Sequence, residues 1–102
     1  MISILYSPKA KADLNNIFDY IAADSLDRAI EFKNYLQKET EKLKEFPLLG
    51  TNQGKLFLIQ KDIRFLINQN YLTFYRFDKE NNVIRILRIL NGAINYTKEQ
   101  FD

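Results

Sequence analysis

Any acid–base chemistry in this chain must come from Glu, Asp, Lys, Tyr or a stabilising Arg, because its 102 residues include no histidine and no cysteine. The same absence excludes a thiolate nucleophile, a zinc–thiolate site and a disulfide scaffold. The notable cations are Arg64, Arg76, Arg85 and Arg88, each embedded in a run of β-branched and aromatic residues rather than in a tail. Alternation along a regular strand sends Arg85 and Arg88 to opposite sheet faces, so the four cannot line one patch. Tyr71 and Tyr75 share a strand face with Thr73 and Phe77. Aromatics on a basic sheet can stack nucleotide bases, but the same spacing is what a helix-covered face needs, and core is the favoured reading. The acidic residues offer no catalytic pair, and Glu39, close to an apolar helical stripe, reads as an interior salt-bridge partner. With three glycines there is no phosphate-binding glycine loop, and no metal-ligand cluster is visible, so no cofactor or metal is expected.

The elements that must position these residues follow from periodicity. Ile2, Ile4 and Tyr6 fall on one side of an extended start and Leu5 on the other, which reads as an interior strand apolar on both faces. Ser7-Pro8 then opens a helix, since the Ser oxygen can accept an orphan amide and Pro has no amide to leave unpaired. Ala10, Leu14, Ile17 and Ile21 stack on one face of that helix, which is predicted to run to about Ala23. Asp24-Ser25-Leu26-Asp27 breaks the pattern with capping residues. Ala29, Phe32, Leu36 and Leu43 then mark a second helix, ended near Glu45 by Phe46-Pro47. The short break between them predicts an antiparallel helical hairpin.

From Leu56 the period becomes strand-like. Residues 63–68, 71–78 and 83–90 read as three consecutive strands joined by the short turns Gln69-Asn70 and 79–82, an antiparallel meander. Leu56 to Ile59 is open between a further short strand and a buried loop, and the tail from Asn91 between a last turn and a short helix. The expected architecture is therefore α+β: one antiparallel sheet of three to five strands, in the order β-α-α-β-β-β(-β), with the N-terminal hairpin on one face and the other face exposed to carry function.

Composition sets the frame. At 46% hydrophobic and 14% aromatic the chain can build a core, and 102 residues fit a single domain spanning 1–102. The start lacks the basic region and apolar run of a signal peptide. No stretch approaches the roughly 20 apolar residues of a membrane span, so a cytoplasmic location is expected. Residues 1–50 carry seven Lys/Arg against eight Asp/Glu and residues 51–102 eight against five, so the net +2 arises from −1 and +3. The second half is the basic one, suited to ribosome, DNA or an acidic protein surface.

Several stretches together resemble the RelE/ParE toxins of type II toxin–antitoxin systems. They are Tyr6-Ser7-Pro8-Lys9-Ala10 leading into Asp13-Leu14 and Ile17 to Ala22, Phe46-Pro47-Leu48-Leu49-Gly50, Ile63 to Leu66, Asn70 to Arg76, and Ile84 to Ala93. The resemblance implies a compact toxin with a twisted sheet beside a helical hairpin, neutralised by a cognate antitoxin of ParD, RelB or Phd type. RelE-like members cleave messenger RNA on the ribosome, and ParE-like members poison DNA gyrase.

A ribonuclease of this kind needs cations to stabilise a charged phosphorane and a group to take the ribose 2′ proton. Leu72, Asn91 and Ile94 stand where relatives place polar or basic residues. Only Tyr96 matches the family's terminal aromatic, with Arg64 and Arg88 as the remaining candidates for catalysis. The resemblance therefore implies the ParE-like branch, a non-enzymatic gyrase inhibitor, with Arg64, Arg88 and Tyr96 contacting the target. A ribosome-dependent endoribonuclease is the alternative, and a degenerate toxin that binds only its antitoxin is a third. Phe18, Tyr20, Ile30 and Tyr35, at the margins of the helical stripes or away from them, are the expected antitoxin contacts.

Overall fold

The computed structural model describes residues 1–99 and 101. The chain begins with strand β1, Ser3–Tyr6, and Ser7 then makes the joint that sets the first helix. Its Oγ accepts the Ala10 amide at 3.0 Å and donates to the Leu87 carbonyl at 2.9 Å, so the cap also ties the helix start to the sheet. Helix α1 spans Pro8–Ala22 with Pro8 in its first turn. Helix α2 spans Leu26–Glu41, is capped by Ser25 through the Arg28 amide at 3.3 Å, and tightens into a 3₁₀ turn at Lys42–Lys44. These are the expected helical hairpin and its stripes: Ala10, Ile17, Ala29, Leu36 and Leu43 are buried.

Strands β2 (Arg64–Asn68), β3 (Tyr71–Asp78) and β4 (Val83–Asn91) form the expected antiparallel meander, and the sheet order is β1-β4-β3-β2. Two expectations for β1 are corrected. It pairs parallel with β4, with Ser3 opposite Val83 and Tyr6 opposite Ile86, so the sheet is mixed rather than wholly antiparallel. It is also an edge strand and not an interior one. Ile4 and Tyr6 pack toward the helices while Leu5, the one apolar residue expected on the other side, is exposed. A single Leu does not make a second buried face.

The segment left open between strand and loop is neither: Leu56–Gln60 is a short helix, α3, in which the Lys55 carbonyl accepts the Leu58 and Ile59 amides and Leu58 turns fully inward. The tail contains a 3₁₀ turn at Tyr96–Lys98.

The expectation of a bare second sheet face is also corrected. On the helix side Ala10, Ile17, Leu43, Leu66, Tyr75, Ile84, Ile86 and Ile89 form one core, and Tyr71 and Phe77 pack against it, which bears out the core reading of the β3 tyrosines. On the opposite side Leu58, Ile63, Phe65, Phe74, Leu87, Leu90 and Phe101 form a second core, flanked by Phe57, Leu72 and Tyr96. The central strands are apolar on both faces, and each face needs a cover. Helix α3 and the C-terminal segment supply the second one.

The register between β3 and β4 slips once, with Phe74 opposite Arg88 and Tyr75 opposite Ile86, so Leu87 is an extra residue on β4. Ile86 and Ile89 consequently both reach the helix-side core three residues apart. The strict alternation that sent Arg85 and Arg88 to opposite faces does not hold across this bulge.

The connection from α2 to α3 is locked by Gly50. A Cβ there would lie 2.6 Å from Tyr75 Cε1, 2.8 Å from its hydroxyl oxygen and 2.9 Å from the Phe65 carbonyl oxygen. Gly50→Ala is expected to cost about 1–3 kcal/mol through overpacking, read as a lower Tm in thermal unfolding. An unchanged Tm would contradict the close approach.

Candidate functional site

The first half of α1 carries Asp13 to the end of the bulge in β4. Its Oδ2 accepts from Arg88 Nε at 2.7 Å and from the Ile89 amide at 2.9 Å, while Oδ1 accepts from Arg88 Nη2 at 2.9 Å. The pair is bidentate, and its two side chains are only 15% and 12% exposed. Glu99 Oε2 lies 3.9 Å from Arg88 Nη1, which brings the C-terminal segment to the same joint. The Asp13 carboxylate, bonded to the guanidinium, raises the Arg88 pKa above its ordinary value against the opposing effect of burial. Arg88 thus links α1, β4 and the tail. Around it runs a groove of about 550 Å³ lined by Lys9, Asn16, Lys98 and Glu99. A neighbouring hollow of about 310 Å³ gathers Tyr20, Tyr71, Asn91 and Ile94 near the same arginine.

Arg64 lies elsewhere. It stands opposite Tyr75 in the β2–β3 register, and its Nη1 donates to the Gly50 carbonyl at 3.0 Å. Tyr96 packs on the other side of the sheet, its ring centroid 5.1 Å from Phe74 and 6.2 Å from Phe65, with the Lys55 ammonium 5.8 Å from its centroid. Proton transfer and phosphorane stabilisation need groups converging within hydrogen-bond reach of one reacting atom. The fold holds Arg64 at the Gly50 carbonyl and Arg88 at Asp13, while Tyr96 stacks on Phe74, the residue opposite Arg88 in the β3–β4 register. Leu72 is half-buried beside the second core, and Asn91 caps the following turn by accepting the Ala93 amide at 2.9 Å. Arg76 and Arg85 serve the fold: Arg76 Nε donates to the Lys61 carbonyl at 2.9 Å, and Arg85 Nη2 donates to Asp78 at 3.3 Å.

The four residues expected to meet a partner all lie on the helical hairpin, with different freedoms. Tyr20 is 78% exposed and Ile30 is also exposed, with Leu26 beside them in sequence. Tyr35 lines a groove of about 430 Å³ together with Ile21, Arg28, Glu31, Phe32 and Gln69. Phe18 is half-buried, and the Lys33 ammonium stands 6.0 Å from its ring centroid. Sequence patterning passes over another group. Phe46, Leu48 and Leu49 are large, apolar and each more than half exposed. Patterning sees only a turn at Phe46 to Gly50, although three large apolar residues in a turn are themselves the signal, because turns favour small and polar ones.

A helical hairpin on one face of a four-stranded mixed sheet, with a short helix and tail on the other, is the fold of the RelE/ParE class of toxins. It is shared with a chain of the chromosomal ParDE TA system from P. aeruginosa at a TM-score of 0.71 and 22% identity, covering 89% of this chain and 96% of that one. It is also shared with a chain of the toxin–antitoxin complex RelBE2 from Mycobacterium tuberculosis at a TM-score of 0.57 and 21% identity, covering 88% and 96%. No curated protein matches the chain. The family model described as the ParE toxin of the type II toxin–antitoxin system, parDE, matches residues 4–96, and the chain belongs to that family.

Proposed function

We propose that this ParE-family toxin arrests growth by docking on DNA gyrase in the cytoplasm, without cutting RNA, and that a cognate antitoxin silences it by covering the helical hairpin. The observation that carries the non-enzymatic reading is the state of Arg88. Two of its donors are committed to Asp13, and an Nη1 donor of Arg64 is committed to the Gly50 carbonyl. An oxyanion-stabilising arginine acts by aiming its donors at charge that develops during reaction. Exposed Tyr20 and Ile30 support the antitoxin surface, since an apolar side chain left wet on a helix is a natural anchor for a partner segment. The RelBE2 relative is a toxin–antitoxin complex, which supports a partner of the same general kind here.

Expression without the antitoxin tests this reading. Induction is expected to raise the DNA damage response while messages stay intact. Codon-related cuts in messages, with translation arrest and no damage response, would favour the ribosome-dependent endoribonuclease instead.

A further inference from the structure

Phe46 to Leu49 is a tight turn: the Leu49 amide donates to the Phe46 carbonyl at 3.0 Å, and Pro47 presets the second position. Phe46, Leu48 and Leu49 stand 59%, 61% and 51% exposed. The turn beneath them is pinned to the sheet. Tyr75, fully buried, donates its hydroxyl to the Pro47 carbonyl at 2.9 Å and accepts the Gly50 amide at 2.9 Å. Arg64 donates to the Gly50 carbonyl at 3.0 Å, and Thr51 exchanges two backbone bonds with Phe65 at 3.0 and 2.8 Å. None of these bonds buries the three apolar side chains. They hold the backbone of the turn in one geometry, so the loop that presents the three side chains loses little freedom on binding.

Beyond Gly50 the chain crosses the outer edge of β2, passing from the helix side, where Tyr75 lies, to the other side, where Leu58 is buried. There α3 leaves Leu56 and Ile59 exposed between Lys55 and Lys61, neither of which pairs with a carboxylate among the described residues. Residues 46–64 contain Lys55, Lys61 and Arg64 against Asp62 alone, net +2, equal to the net charge of the whole chain. Ile30 and Phe46 lie toward opposite ends of α2, a helix roughly 24 Å long at 1.5 Å per residue. The rim around β2 is therefore distinct from the exposed hairpin residues.

We propose that this rim, from Phe46 to Lys61, is the surface with which the toxin grips its target, and that it fits a protein face carrying an apolar pocket bordered by carboxylates. The inference rests on the reading of the chain as a target-docking toxin. Lysines beside the apolar knobs supply the complementary charge that steers and orients a protein partner. The knobs need a dry pocket, which a phosphate backbone does not provide.

The test is the double variant Leu48→Ser/Leu49→Ser, compared with wild type at equal protein level in growth inhibition and in inhibition of purified DNA gyrase. These side chains are exposed, so the variant's Tm stays within a few degrees of wild type, which confirms that it folds. Toxicity is expected to fall at least tenfold, and Lys61→Glu in the wild-type background is expected to weaken it in the same direction. A folded double variant as toxic as wild type overturns the surface and leaves the toxin reading intact. Lost growth inhibition with gyrase unaffected even by wild type supports the surface and rejects gyrase as its partner. A wild-type chain that harms neither growth nor gyrase overturns the toxin reading and this surface together. DNA or RNA binding by wild type that the double variant loses overturns the assignment to a protein partner.

Discussion

Asp13→Ala should lower stability by about 3–5 kcal/mol, the cost of leaving one member of a largely buried ion pair without its counterion. Small domains hold only about 5–15 kcal/mol in total, so the variant is expected to be partly unfolded near physiological temperature. Three hydrogen bonds disappear at once, because the Asp13 carboxylate takes Nε and Nη2 of Arg88 together with the Ile89 amide. Glu99, 3.9 Å from Nη1, is too far and too exposed to replace a bidentate partner. Thermal and urea unfolding measure the loss. Asp13→Leu combined with Arg88→Met should recover most of it, since an apolar pair of similar volume carries no stranded charge. If Asp13→Ala and the double variant both melt like wild type, the joint between α1 and β4 is not what holds the helix on the sheet. The comparison also governs how any Arg88 variant is read: loss of toxicity in Arg88→Ala follows from a weakened fold alone, and only the double variant separates folding from contact.

The second large effect is on the partner. Tyr20→Ala and Ile30→Ala together should weaken binding of the cognate antitoxin about hundredfold, roughly 3 kcal/mol, as truncated aromatic and aliphatic anchors do at interface centres. The same pair should change Tm little, because neither side chain is buried in the free chain and exposed substitutions typically stay within about 0.5 kcal/mol. Titration calorimetry with the purified antitoxin measures the affinity. Unchanged affinity would move the antitoxin off this part of the hairpin, to the groove lined by Phe32 and Tyr35.

Both predictions show where sequence was informative. The hairpin was legible because Ser7-Pro8 and Ser25 cap helices by local chemistry and because Ala10, Ile17, Ala29 and Leu36 repeat at helical spacing. The meander was legible because two short polar breaks separate β-branched runs. What escaped depends on contacts distant in sequence. The place of β1 is decided by pairing across about 80 residues with β4, and nothing in Ile2 to Tyr6 encodes an edge rather than an interior position. The helical form of Leu56 to Gln60 is set by the need to turn Leu58 onto Phe65 and Phe74, a tertiary demand that overrides a β-like composition. The Leu87 bulge shifts Arg88 toward Asp13, 75 residues earlier, and periodicity within β4 carries no trace of it. Arg64 and Tyr96 were visible as candidate chemistry from residue type alone. Their separation became visible only when the sheet placed one beside Gly50 and the other on Phe74.

The sealing of the second sheet face matters for function in the same way. With Phe74, Leu87 and Leu90 covered by α3 and Phe101, that face is not a bare platform for stacking bases. Available apolar surface lies instead on the hairpin and around the β2 edge, and at Leu5 of β1 and Ile94 of the tail, which suits protein contacts.

The most direct measurement is the supercoiling of relaxed plasmid by purified DNA gyrase in the presence of an excess of the purified chain. Docking on gyrase predicts that supercoiling stops and cleaved plasmid accumulates, and that adding the cognate antitoxin beforehand prevents both. Normal supercoiling by gyrase in the presence of chain that still arrests cells would contradict it.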